Sequence, residues 1–158
     1  MGKPYFVVFT LLGLMITGCA ATGSSTSRQT SASETSRSLV GAWEATASRP
    51  QGVGRNLLTF SSDGTFFRSG DTHPVLSGAH GAWKRVSELE YHGSYIAFRF
   101  DQSGKWIGSA KTRIQVTLGP DGNEFTGVAK VSFRDLQDKE ERTSESRLQG
   151  KRIRVESF

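Results

Sequence analysis

The side chains that could move a proton or hold a charged ligand fall in two short runs of this sequence. His80-Gly81-Ala82-Trp83 offers an imidazole, a group suited to general acid/base work or to a hydrogen bond to a ligand. Tyr95 and Arg99 would set a phenol near a guanidinium, a pairing suited to an acidic ligand. Other chemistries find no support. There is one cysteine, Cys19, near the N-terminus, and no Gly-x-Ser-x-Gly elbow. Gly52-Val53-Gly54 is followed by Arg55-Asn56-Leu57, so a dinucleotide fingerprint fails at its third glycine. His73, His80 and His92 lack the spacing of a metal site, and neither metal nor cofactor is expected.

The surroundings of Cys19 give it a different role. Lys3 precedes an apolar run from Tyr5 to Ile16, and the small residues Thr17 and Gly18 follow: a charged region, a hydrophobic region and a cleavage site. Ile16-Thr17-Gly18-Cys19 resembles the lipobox of bacterial lipoproteins, in which the bond before the cysteine is cut and its sulfur receives a diacylglycerol. The resemblance implies an envelope protein held to the membrane by a lipid anchor. Ala20, rather than Asp, after the cysteine resembles the sorting pattern for an outer membrane where the cell has one. The apolar run is too short to span a bilayer comfortably, and Ser- and Thr-rich sequence follows it directly. Residues 20–38 contain no bulky apolar side chain and read as a flexible tether. The expected organisation is a signal peptide over 1–18, a lipidated tether over 19–38 and a folded body over 39–158.

Positioning the candidate residues falls to that body, where the hydrophobic pattern has period two. From Lys105 to Leu118 the even positions Trp106, Gly108, Ala110, Thr112, Ile114, Val116 and Leu118 oppose Lys105, Lys111, Arg113 and Gln115. Phe125, Gly127, Ala129, Val131 and Phe133 repeat the alternation. Turn formers stand at Ser62-Asp63-Gly64, at Asp101-Gln102-Ser103-Gly104 and over Gly119 to Asn123, and Pro50, Pro74 and Pro120 fall in loop stretches. The pattern predicts strands at Leu39–Ala47, Asn56–Ser61, Thr65–Ser69, Ala79–Arg85, Glu90–Phe100, Lys105–Leu118, Glu124–Arg134, Arg142–Gln149 and Arg152–Glu156. Eight or nine sequential strands favour a single antiparallel up-and-down β-barrel, because closure removes sticky edges; a sandwich is the alternative.

Leu39-Val40-Gly41-Ala42-Trp43 resembles the Gly-x-Trp opening of the lipocalin-like barrels, the calycins. The resemblance extends through Leu58-Thr59-Phe60, Asp63-Gly64-Thr65, His80-Gly81-Ala82-Trp83, Phe100-Asp101 with Gly104, Asp121-Gly122 with Phe125-Thr126-Gly127, and Arg152 to Glu156. It is similar as a whole to small bacterial calycin-like proteins without assigned function. In calycins a late-strand basic side chain packs on that Trp, so the resemblance implies Arg152 or Arg154 over Trp43, favoured by cation–π attraction. A Thr-Asp-Tyr element and a C-terminal helix after the last strand are both lacking.

The barrel also bounds the function. His80 and Trp83 differ by three and must face opposite sides of a regular strand, so only one points inward. By pattern Tyr95 and Arg99 face solvent, opposite Ile96, Phe98 and Phe100; a bulge would turn them into the cavity. Inward positions mix small with large side chains, which fits a filled core and a ligand cavity equally. The leading expectation is a binding module for a small apolar or amphipathic ligand, with Trp43, Phe60, Trp106 and Phe125 lining or closing the cavity. The alternatives are a filled barrel that meets a protein partner, and a cavity that catalyses a cyclisation or isomerisation through His80, Tyr95 or Arg99. The net charge of +5 is scattered and no basic run is interleaved with aromatics, so no nucleic-acid partner is expected.

Overall fold

The computed structural model describes residues 37–50, 52–72 and 74–158. The signal peptide, Cys19, nearly all of the tether and His73 lie outside the described residues. Eight strands follow one another: β1 (Gly41–Arg49), β2 (Gly52–Phe60), β3 (Thr65–Gly70), β4 (Leu76–Arg85), β5 (Glu90–Phe100), β6 (Trp106–Leu118), β7 (Glu124–Arg134) and β8 (Glu140–Arg152). Each pairs antiparallel with the next, and β8 returns to β1 to close an up-and-down barrel. No helix occurs among the described residues.

Of the two strands expected at the C-terminal end only the first forms, extended to Arg152; the strand expected over Arg152–Glu156 does not form. Gly150-Lys151 suggests a break, yet β8 runs through it without a turn. The reason is packing: a β-carbon on Gly150 would collide with the Phe125 ring, so the glycine makes room for a neighbour inside a continuous strand. After Arg152, Ile153 N–H donates to Ala42 O at 2.9 Å, and the remaining residues are exposed.

One end of the barrel is plugged. Trp43 and Phe125 pack with ring centroids 5.1 Å apart, Phe60 stacks on Phe66 at 4.3 Å, and Trp83 meets Phe60 edge-on at 5.8 Å. Leu39 and Leu118 complete this buried floor. Arg152 seals it from outside, with its guanidinium carbon 4.2 Å from the centre of the Trp43 ring. Its Nε donates to Gly122 O at 2.8 Å, and its two terminal nitrogens donate to Val40 O at 2.7 Å and Ser38 O at 2.6 Å. Burial, with a smaller contribution from Arg154, lowers the pKa of this guanidinium, and Tyr91 opposes the shift. Arg152 is thus the basic partner of Trp43. Arg154 instead reaches Asn123 Oδ1.

The turns share an aspartate that accepts the N–H two residues on, as in Asp63 with Thr65, Asp101 with Ser103, Asp121 with Asn123 and Asp135 with Gln137. These interactions hold three of the carboxyls below the ordinary aspartate range. The Thr65 hydroxyl contributes most for Asp63, the Ser103 hydroxyl for Asp101 and the Asn123 N–H for Asp121. The β5–β6 and β7–β8 turns are closed by the same bonds: Asp101 N to Lys105 O and Asp135 N to Lys139 O are both 3.0 Å. They differ at the fourth position, where Gly104 has φ 81° and Asp138 has φ 63°. A left-handed aspartate is strained where a glycine is not. Asp138→Gly is therefore expected to stabilise the protein by about 1 kcal/mol, read as a Tm raised by several degrees, since the exposed Arg134–Asp138 pair it removes contributes little. An unchanged or lowered Tm would contradict it.

Candidate functional site

Above the aromatic floor the barrel is not filled. Five alanines, Ala45 and Ala47 on β1, Ala97 on β5, Ala110 on β6 and Ala129 on β7, face the axis and leave a cavity of about 80 Å³. It opens between the β1–β2 and β3–β4 connections, where Arg49, Asp71 and Thr72 form part of the rim. Such a space holds several waters, each needing about 10–15 Å³, but it is well below the roughly 300 Å³ at which pockets for drug-sized ligands begin. A short molecule fits, or the head and first carbons of a longer one that extends through the mouth.

The wall is apolar except at a few positions. Leu58, Phe66, Ile114 and Leu148 alternate with Thr112 and Ser146, which bring hydroxyls to the wall. Tyr95 also lines the cavity, its ring edge-on to Phe66 at 5.3 Å. Among the described residues the only ionised group well inside is Arg68 on β3, 8% exposed. Its Nε donates to Asn56 Oδ1 at 2.8 Å and its Nη2 to Thr72 Oγ1 at 3.1 Å, both neutral acceptors. The close approach of Asn56 and the guanidinium leaves no space for a β-carbon at position 70, where glycine stands. No carboxylate of the described residues lies in ion-pair contact with Arg68. Asp71, nearest in sequence, is exposed on the rim and accepts the Arg55 N–H at 2.8 Å.

The structure separates the candidates read from the sequence. Trp83 takes the inward position, half-buried against the core, with its indole N–H on Ser61 O at 3.0 Å. His80 is therefore on the outer wall, edge-on to Phe67 at 5.0 Å, and cannot serve a reaction in the cavity. Tyr95 corrects the expectation that it faces solvent. Tyr91, Tyr95 and Ala97 point inward, whereas Ile96 and Phe98 are exposed. β5 is apolar on both faces, so its own pattern does not choose; its register does, because Tyr95 pairs with Thr112 and Ala97 with Ala110, both inward on β6. No bulge is needed for this inversion. Arg99, on the same face, stops at the far rim, where Nη1 donates to Glu141 Oε2 at 2.6 Å and to Arg134 O at 2.9 Å. The guanidinium that shares the cavity with Tyr95 is Arg68.

Of the four proposed ligand-contacting aromatics, Trp43, Phe60 and Phe125 are buried in the floor and close the cavity from below. Trp106 is on the outside, 51% exposed, against Phe98 at 6.0 Å. Arg99 pairs with Gly108 and Phe100 with Trp106, so Ile107 is an extra residue that breaks the alternation. Gly108 permits the bulge with φ 137°; a β-carbon there would also strike the Arg134 carbonyl.

No group of three potential metal ligands occurs among the described residues. No family model, curated protein or solved structure matches the chain.

Proposed function

We propose that this chain is a lipid-anchored envelope protein of calycin type whose barrel binds a small amphipathic ligand. One observation carries the binding reading: the alanine wall leaves an open-ended cavity lined by hydroxyls and by a guanidinium that has no counter-charge among the described residues. A barrel that served only as a structural body would gain from filling that space, because a void forfeits dispersion contacts and a buried cation without a counter-charge costs free energy. The calycin reading is supported by the Gly41-x-Trp43 opening with Arg152 on the indole, and the anchor by the lipobox at Cys19. Tyr95 is the one acid/base candidate in the cavity, with neither His80 nor Arg99 beside it, which favours holding a ligand over relaying a proton.

A second reading, docking of a protein on the outer wall, draws on Phe67, Ile96, Phe98 and Trp106, all more than two-fifths exposed. Native mass spectrometry of protein extracted from its own envelope addresses both. The expected spectrum has a chain beginning at Cys19, heavier by its acyl groups, with a retained small molecule. A ligand-free protein with a stoichiometric protein partner would favour the second reading, and an unprocessed, unmodified N-terminus would remove the anchor.

A further inference from the structure

We propose that the ligand of the barrel is an organic monoanion, a carboxylate with a short or outward-running apolar tail, and that Arg68 is its counter-charge. This deepens the binding reading and rests on it. A guanidinium can donate five hydrogen bonds. The bonds of Arg68 engage only Nε and Nη2, and both acceptors are neutral. Nη1 has no acceptor among the described residues, yet the one fully buried side-chain polar atom without a partner is Arg134 Nε. Nη1 therefore reaches open space, and for a side chain inside the barrel that space is the cavity.

Burying a cation without an anion is costly, and removing that cost is worth more than one further neutral hydrogen bond. Two arginines at the rim have counter-charges: Arg99 pairs with Glu141 at 2.6 Å and Arg134 with Asp138 at 2.8 Å. Arg68 is different because its partners fix the head without neutralising it. A single charge is indicated, since one guanidinium balances one anion and Asp71 on the rim opposes a second negative charge. The Thr112 and Ser146 hydroxyls and the Tyr95 phenol, all on the cavity wall, supply further neutral donors, and the alanine wall accepts the methylenes of the tail.

Calorimetric titration of the mature protein with hexanoate, hexanamide and 1-hexanol, in buffer whose only other anion is chloride, tests this. Hexanoate is expected to bind at least tenfold tighter than hexanamide. Arg68→Gln should abolish that preference, bringing the affinity for hexanoate down to that for hexanamide. Equal affinities of acid and amide in the unaltered protein would overturn the anion assignment and leave the cavity reading standing. No binding of any of the three would overturn the cavity reading itself. The comparison within the unaltered protein needs no variant, so it decides even if Arg68→Gln fails to fold. Extending the series to longer carboxylates separates the sources: affinity that keeps rising with chain length marks an acyl chain passing through the mouth, and affinity that peaks at short chains marks a small soluble acid.

Discussion

Arg152→Met is expected to destabilise the protein by about 3 kcal/mol, the scale for losing several charge-assisted hydrogen bonds from a half-buried cluster. The substitution keeps much of the aliphatic cover on Trp43 but removes the donors to Ser38, Val40 and Gly122 and the cation over the indole. For a small domain of ordinary stability that is a large fraction of the total and lowers Tm by roughly 10 °C. Arg152→Lys retains the charge but not the planar, three-way donation, and should fall between the two proteins in a thermal melt. If the Met variant melts within about 2 °C of the unaltered protein, a shift worth well under 1 kcal/mol in a small domain, then Arg152 is an ornament of the closed end and not its seal.

The second large effect concerns the cavity. Ala110 faces Ala97 across β5–β6 and Phe133 across β6–β7, and lies on the cavity wall. Ala110→Leu places three more carbons into that space. The expected outcome is loss of ligand, at least tenfold in affinity for any carboxylate that binds the unaltered protein, with Tm unchanged or raised. In a close-packed barrel the same substitution would cost about 1–3 kcal/mol through overpacking. The thermal melt alone thus separates a hollow interior from a filled one, whatever the ligand proves to be. A Tm lowered by more than about 5 °C would mean that the site is filled and would take the binding reading with it.

How much of this could be read from the residues follows from how each strand meets water. β6 beyond its bulge and β7 have one apolar face, so their alternation, their inward residues and the turn between them are legible directly. β5 presents Tyr91, Tyr95 and Ala97 on one side and Ile96 and Phe98 on the other, and only pairing with β6 selects between them. Trp106 illustrates a different limit: an added residue at 107 reverses the parity of what precedes it, and the glycine at 108 is the sole local sign. Arg68 was not among the candidates. Phe66 and Phe67 give β3 two equivalent faces, and a charged side chain is by habit assigned to solvent. Its one clue is the parity it shares with Phe66, which becomes informative only once Phe66 is known to stack on Phe60.

The described chain enters the barrel at the plugged end, beside Leu39, whereas the cavity opens at the other. For a body hung from its N-terminal side, this arrangement separates a mechanical pole from a receiving pole. Tension on the leading segment arrives where the Ser38 and Val40 carbonyls are gripped by Arg152 and β1 is laced to β8, and the rim lies a barrel's length away. On the proposed anchor, the mouth is the end of the barrel farther from the point of attachment.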